Sequence, residues 1–480
     1  MAIFEGLNKE HTVAGAGFNR WLVPPAALAI HLCIGMAYGF SVFWLPLSKA
    51  VGIKEAISCP ADMGFLAQIT ATTCDWKISM LGWMFTLFFV FLGLSTALFG
   101  GWLEHAGPRK AGVVSSLCWC GGLVISSLGI YTHQIWLMWL GSGVIGGIGL
   151  GLGYISPVST LIKWFPDRRG MATGMAIMGF GGGAFIASPL SVWLMGQFST
   201  PTHIGVAETF IVMGLIYLCF MMVGAAIVRL PPPGWAPAGF VMPRESRLVT
   251  TRNVFVYEAL KTPQFWLIWW VLCLNVTAGI GVLGQASAMS QEMFRGHITA
   301  IAASGFVGLF SLFNMLGRFF WSSSSDYLGR KNTYFVFFAL GTILYALVPH
   351  SGEIGSVALF VFCYAVIFSM YGGGFATVPA YLRDMFGTRY VGAIHGLLLT
   401  AWSMAGIFGP VLVNYIREYN VTHGVAAAQA YNITMYVMAG LLVVGFICNA
   451  FIKAVHPRHY LEEQTRTVRG AGAATAPAGE

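Results

Sequence analysis

Charge is what this sequence has least of. Only 9% of its 480 residues are Asp, Glu, Lys or Arg, where a soluble domain carries about 25%. Such a chain cannot cover a water-facing surface, so a water-soluble globule is excluded. Acidic side chains are rarer still where the chain is apolar: no Asp or Glu falls inside an apolar run except Glu208, at a run's end, and Glu258 precedes the seventh run. Paired carboxylates, an HExxH motif and a Ser/His/Asp set are all missing, so nothing supports an enzyme, and no pattern calls for a metal or cofactor. The 26 Lys+Arg against 18 Asp+Glu give +8. The basic residues stand singly or in pairs with no stripe or stacking motif, which excludes nucleic acid as partner. The polar start, Met-Ala-Ile-Phe-Glu-Gly, is not followed by a short apolar core and a small-residue cleavage site, so no cleaved signal peptide is expected.

Apolar runs are what is there, with 57% hydrophobic residues and 60 Gly. Runs predict helices at 21–45, 79–102, 111–130, 135–161, 171–195, 208–229, 263–290, 299–322, 333–350, 355–381, 391–416 and 431–453. Each can cross a hydrocarbon layer of about 30 Å. The expected fold is an all-α membrane protein of twelve spans. The polar stretch 230–262 opens Leu-Pro-Pro-Pro-Gly-Trp-Ala-Pro and divides the spans six and six. The expected organisation is a six-helix half at 1–229, a linker at 230–262, a second half at 263–453 and a tail at 454–480. With both termini on one side, 20 of the 26 Lys+Arg fall on that side, five on the other, and Arg318 alone inside a span. The excess marks the cytoplasmic side, so termini and linker are expected in the cytoplasm and the chain in a bacterial inner membrane.

The chain also repeats. Glu104, Gly107, Pro157, Gly170 and Gly174 match Asp326, Gly329, Pro379, Gly392 and Gly396 at one offset of 222 residues. Two such parallel six-span halves, each with an acidic-glycine-basic loop between its second and third helices (Glu104-His-Ala-Gly107-Pro-Arg109 and Asp326-Tyr-Leu-Gly329-Arg330), resemble the major facilitator superfamily. A carboxylate at a helix end, followed by Gly and a basic residue, can bond a neighbouring helix terminus and latch one side of the bundle shut. The first copy departs from the family pattern at Glu104 and at Pro108.

Arg318 is the most informative single residue. It lies eight residues before Asp326, roughly 12 Å into its helix, and a cation at that depth normally faces a cavity or partner. With no carboxylate in sight, its natural partner is an anion that comes and goes; the alternative is a structural arginine bonded to backbone carbonyls. Tyr38, Tyr154 and Tyr371, each beside glycines, are candidate donors to that anion, with packing as the alternative for each. The glycine run Gly146 to Gly153 lacks the strand and helix of a nucleotide fold, and reads as close helix packing.

The segment Tyr154-Ile-Ser-Pro157 to Trp164-Phe165-Pro166-Asp167-Arg168-Arg169-Gly170, with Gly317-Arg318-Phe-Phe-Trp321 and Thr400-Ala401-Trp402-Ser403, is similar to the oxalate:formate antiporter family, relatives of the monocarboxylate transporters. The resemblance implies a carboxylate substrate and assigns its binding to Arg318. The exchanger that names the family has a second cation, a lysine, in its eleventh helix. Residues 391–416 here hold no Lys or Arg, and Trp402 falls at that place. One fixed cation suits one carboxylate, so a monocarboxylate such as formate, lactate or pyruvate is expected ahead of the oxalate dianion. Monocarboxylate relatives often carry Asp one turn before the arginine; here Asn314 stands there and cannot titrate. His31, or more weakly His395, is the candidate proton carrier, against a packing role. Cys59 and Cys74 share the first outer loop, where a disulfide can persist, but sequence does not give their proximity. The resulting expectation is a secondary transporter, working as a monomer, that moves a small organic anion by proton symport or anion exchange. An oxalate-type dicarboxylate exchanger, and more remotely a membrane enzyme or a sensor, are the alternatives.

Overall fold

Residues 6–15, 17–60, 62–240, 248–294, 298 and 300–461 are described by the computed structural model. The linker residues 241–247, Arg295 and the tail beyond 461 lie outside them. Twelve long helices form: α1 (Val23–Ile34, continued by a tight 3-10 segment Gly35–Phe43), α2 (Ile78–Ala106), α3 (Pro108–Tyr131), α4 (Ile135–Trp164), α5 (Arg169–Phe198), α6 (Val206–Ile227), α7 (Pro263–Leu283), α8 (Ala300–Leu328), α9 (Arg330–Glu353), α10 (Val357–Phe386), α11 (Val391–Val421) and α12 (Asn432–Phe451). Eleven of these are long and apolar enough to cross a membrane among the described residues. The remaining one, α8, has 29 residues, and at 1.5 Å per residue spans about 43 Å.

Local sequence explains the ends. Pro108 and Pro263 stand in the first turns of α3 and α7, where a missing N–H costs nothing. Gly107 (φ +83°) and Gly329 (φ +84°) make the turns into α3 and α9; with ψ of 165° and 143°, that backbone region is open only to glycine. The sequence reading ran the seventh helix to residue 290. The structure ends α7 at Leu283, and Ala286–Met293 forms a separate short helix after Gly284-Gln285. Three irregularities lie inside spans: the 3-10 segment of α1, a wide-turned segment of α4 at Trp139–Gly146, and a break in α11 at Leu399.

One end of the bundle carries the described parts of the loops α2–α3, α4–α5, α6–α7, α8–α9 and α10–α11, with the described segments 6–15 and 452–461. We call it the basic face. Here each half is tied by its own flanking segments. Ala14 N–H donates to the Leu230 carbonyl and Leu230 N–H to that of Thr12, both at 2.8 Å; in the second half Leu461 N–H donates to Asn253 at 3.0 Å. At the opposite face the α1–α2 loop is a structured unit. A disulfide joins Cys59 and Cys74, whose Cα atoms are 5.0 Å apart. The neighbouring Asp75 carboxylate accepts from the N–H groups of Val51, Gly52 and Ile57 at 2.6, 3.1 and 2.8 Å. His133 stacks on Trp76 at 4.0 Å, and that burial lowers its pKa.

Candidate substrate-binding site

The two halves meet along a run of hydrogen bonds that climbs from the basic face to the midplane. At the basic face, Asp326 at the end of α8 accepts from the N–H groups of Gly170 (2.9 Å) and Met171 (3.1 Å), the first turn of α5 in the other half. A carboxylate there satisfies orphan donors and complements the helix dipole. Arg330 holds Asp326 in place at 2.5 Å and reaches Asp384 at 3.2 Å, with a further bond to Ser325. The first copy of the motif is built differently. Glu104 Oε2 accepts from Lys163 at 2.9 Å and its carbonyl from Lys9 at 2.6 Å. Its Oε1 is buried and unpartnered, facing Gly392, where a Cβ would lie 2.8 Å away. Arg109 donates to the Gly6 carbonyl at 2.9 Å.

Further in, Thr173 Oγ1 donates to the Ala376 carbonyl (2.7 Å) and Thr96 Oγ1 to that of Gly396 (3.0 Å). Close approach there depends on glycine: a Cβ on Gly174 would lie 2.8 Å from the Arg318 carbonyl oxygen, and one on Gly396 2.3 Å from that of Thr96. Residue 96 is 222 before Arg318. The sequence repeat is thus a spatial two-fold in which each gate partner has a counterpart across the bundle.

Arg318 sits above this gate with no exposed surface. Its Nε donates to Asn314 Oδ1, one turn away, at 2.9 Å, and Nη1 to the Ile177 carbonyl at 3.4 Å. Asn314 therefore orients the guanidinium, as an i, i+4 pair can. One backbone carbonyl is only part of a structural cage, because Nη2 is buried with no partner. Phenyl rings of Phe180 and Phe375 flank the guanidinium, with centroids 5.4 and 5.3 Å from Cζ. The same rings touch the fully buried Trp402 at 5.4 and 4.2 Å. Tyr154 (5.3 Å) and Phe89 (5.3 Å) also pack on Trp402. Arg318 and Trp402 thus share one aromatic chamber.

Two of the three candidate tyrosines satisfy each other: Tyr38 and Tyr371 are bonded hydroxyl to hydroxyl at 3.0 Å, across the halves. Tyr154 is different. Its hydroxyl is buried and unpartnered, as is the Trp402 indole N–H. Three polar tips, Arg318 Nη2, Tyr154 Oη and Trp402 Nε1, each able to donate, lack a partner at ordinary hydrogen-bond distance, with the Tyr154 hydroxyl and the Arg318 guanidinium in looser reach of each other, and buried polar groups are seldom left so without a ligand or water. His31 Nε2 lies 3.2 Å from the Tyr154 carbonyl oxygen. His395 packs 6.1 Å from the Tyr154 ring. Sequence reasoning missed Phe89, Phe180 and Phe375, since a phenylalanine in an apolar run carries no signal of its own. The 222 offset was a usable signal: it carries Trp402 onto Phe180.

Comparison with known proteins agrees with this architecture. The chain is 28% identical over 409 residues to the oxalate:formate antiporter of Oxalobacter formigenes, covering 84% of this chain and 87% of that one. It is 23% identical over 440 residues to apicoplast pyruvate carrier 1 of Toxoplasma gondii, covering 77% and 78%. Among solved structures, the proton:xylose symporter XylE superposes with a TM-score of 0.65 at 14% identity, over 93% of this chain and 98% of that one. Residues 27–410 match the model of the Major Facilitator Superfamily, and the chain belongs to that family of membrane transporters.

Proposed function

We propose that this protein carries a small monocarboxylate, of the size of formate, lactate or pyruvate, by rocking its two halves about the Arg318 chamber. The observation that carries the reading is Arg318 itself: a fully buried guanidinium that no carboxylate reaches among the described residues, with one nitrogen unsatisfied. A carboxylate placed there takes a charge-assisted bond from Nη2 and finds a second donor in Tyr154. The aromatic walls exclude water and fit a short apolar remainder. Differential binding of the anion to the closed state is what lowers the barrier to crossing. The cycle runs as proton symport or as anion exchange. The basic face is the cytoplasmic one, by the 20 to five excess of positive residues, in an inner membrane. One chain supplies every group in the chamber, which supports a working monomer.

The named activity of the 28% identical relative favours a second reading, an oxalate-type exchanger. Against it, Trp402 leaves the chamber with Arg318 as its cation. Counterflow in proteoliposomes with labelled formate, lactate, pyruvate and oxalate separates the two. Monocarboxylates should exchange and oxalate should not. Arg318→Lys keeps the charge but loses the planar fork. Loss of a charge-assisted bond, about 1.5–3 kcal/mol, should cut counterflow by roughly 10- to 100-fold. Undiminished counterflow would refute the reading.

A further inference from the structure

The chamber holds two buried histidines, and only one of them stands where a transport cycle can use it. His31 belongs to α1 and lies against α4 and α5 of its own half: Nε2 is 3.2 Å from the Tyr154 carbonyl oxygen, and the two rings meet at 5.5 Å. When the halves rock as bodies, those neighbours travel with it. His395 belongs to α11 of the second half, yet its ring packs on Tyr154 of the first, at 6.1 Å. It is 2% exposed, and its Nε2 has no partner. The two-fold explains the placement. Residue 395 is the counterpart of Thr173, and Tyr154 that of Ala376; Thr173 bonds Ala376 across the halves at 2.7 Å, whereas the His395–Tyr154 pair makes ring contact only. A gate position has been given a titratable ring.

The charged groups around His395 are few and mostly engaged. On α2, Glu104 presents its unpartnered Oε1 at Gly392, one helical turn, about 4.5 Å of rise, toward the basic face. On α4, Lys163 is bonded to Glu104 at 2.9 Å. On α10, Asp384 is bonded to Arg330 at 3.2 Å, and Tyr381 keeps a buried, unpartnered hydroxyl. In the short helix Val256–Leu260, Glu258 is bonded to Lys261 at 2.5 Å and lies 3.3 Å from His459. Above His395 stands the free hydroxyl of Tyr154 and, sharing Phe180 with it, Arg318. Polar atoms without a partner thus stand at three levels, Tyr154 in the chamber, His395 at the gate and Glu104 at the basic face.

Resting on the carboxylate reading above, we propose that His395 is the proton-carrying residue of the cycle, making this transporter a proton:monocarboxylate symporter. With the basic face closed, the way to His395 is through the chamber. Hydronium entering the chamber gives its proton to the lone pair of His395 Nε2, beside the Tyr154 ring, leaving neutral water and an imidazolium. When the halves part at the basic face, Tyr154 and Glu104 draw away, water reaches the ring, and Nε2 returns the proton to that side. One proton accompanies one anion, so the two charges balance. A group at the moving interface has the alternating access that coupling requires; one packed within a single half does not.

The test uses the purified full chain in proteoliposomes, with labelled formate, lactate and pyruvate assayed in parallel. Wild-type uptake should rise at least fivefold under a proton gradient directed with the anion, and internal pyranine should report one proton per anion. In His395→Gln that stimulation should fall below twofold while counterflow, which needs no net proton movement, survives at a third of wild type or more. His31→Gln should keep the full stimulation. Wild-type counterflow together with net uptake that neither rises under the proton gradient nor moves protons overturns this inference and leaves the carboxylate reading standing, as does stimulation that persists in His395→Gln. If both His395→Gln and His395→Asn lose counterflow, the residue is not a dispensable proton carrier and the inference fails. No counterflow of any of the three acids refutes both.

Discussion

Replacing Gly170 by alanine should hold the basic face open. A Cβ on residue 170 would lie 2.0 Å from the Ser322 carbonyl oxygen and 3.0 Å from Asp326 Oδ1, where ordinary contact begins near 3.4 Å. Ser322 O is backbone in the middle of a helix and cannot swing away, so α5 and α8 must part by roughly 1.4 Å. That stretches the Gly170 and Met171 bonds to Asp326, now 2.9 and 3.1 Å, past hydrogen-bond range. Two bonds to a charged acceptor contribute about 1.5–3 kcal/mol each. If relaxation recovers half of that, the closed form loses about 1.5–3 kcal/mol relative to the open one, roughly a 10- to 150-fold shift in population. Alanine's better helix propensity, about 1 kcal/mol at most, acts on both forms and cancels. Nitroxide labels at His105 and Tyr327, both exposed at the basic-face ends of α2 and α8, read the separation by pulsed EPR, in a background with Cys118, Cys219 and Cys448 replaced by Ser. The main distance should lengthen by several ångströms (~5 Å for a gate opening of this kind). Gly308→Ala, on α8 with nothing within 4 Å, is the control. Coincident distance distributions for Gly170→Ala and wild type would refute the close-approach argument.

Two further outcomes follow from the loops. Removing the Cys59–Cys74 bond by Cys59→Ser frees a loop with a sequence separation of 15, for which chain entropy gives about 3 kcal/mol; limited proteolysis of the α1–α2 loop should accelerate at least tenfold, and unchanged cleavage would show that Asp75 alone holds it. Glu258 lies outside the spans, and its bond to Lys261, then that to His459, holds its carboxyl below the ordinary glutamate range. A depressed pKa stabilises docking fully above the unfolded value of about 4.3, and the contribution disappears as acid takes the pH down through the folded value. Exchange of the Leu461 amide, which docks on Asn253, corrected for intrinsic rate, should therefore stay flat down to the unfolded value of about 4.3, rise below it, and show no such rise in Glu258→Gln.

Helix number and position were legible because lipid demands long apolar runs and every polar interruption marks a face. The gate was legible through one number, the 222 offset, because duplicated residues kept their packing roles. Asp326 and Gly170 lie in opposite halves, so the repeat had listed two partners of one contact without saying that they touch. The chamber was only half legible. Arg318 stands out since charge in a span is rare, and Asn314 is bonded to it at the expected one-turn spacing. Phe180 and Phe375 are invisible among 36 phenylalanines, and depth along a helix ranked His395 below His31 because depth does not say which half a side chain faces. Tyr38 and Tyr371, chosen for their glycine neighbours, turn out to satisfy each other.

The two-fold also shows where symmetry is kept and where it is broken. At the basic face each half offers a carboxylate near the first turn of a helix in the other, Asp326 to Gly170 and Glu104 to Gly392. Both halves can then part and close by the same motion. From the gate up to the chamber the counterparts differ in chemistry: under the 222 offset Arg318 corresponds to Thr96, Trp402 to Phe180, and His395 to Thr173. A symmetric chamber would carry either no cation or two. Breaking the pair leaves one guanidinium with one free nitrogen, and a single fixed charge in a sealed apolar chamber selects against a second charge on the cargo, because the unpaired one would have to be desolvated without compensation. Placing arginine or lysine at residue 96 should therefore trade monocarboxylate for dicarboxylate exchange, and a Thr96→Lys variant that folds, binds neither acid class differently and exchanges as wild type does would contradict the link between fixed charge and cargo.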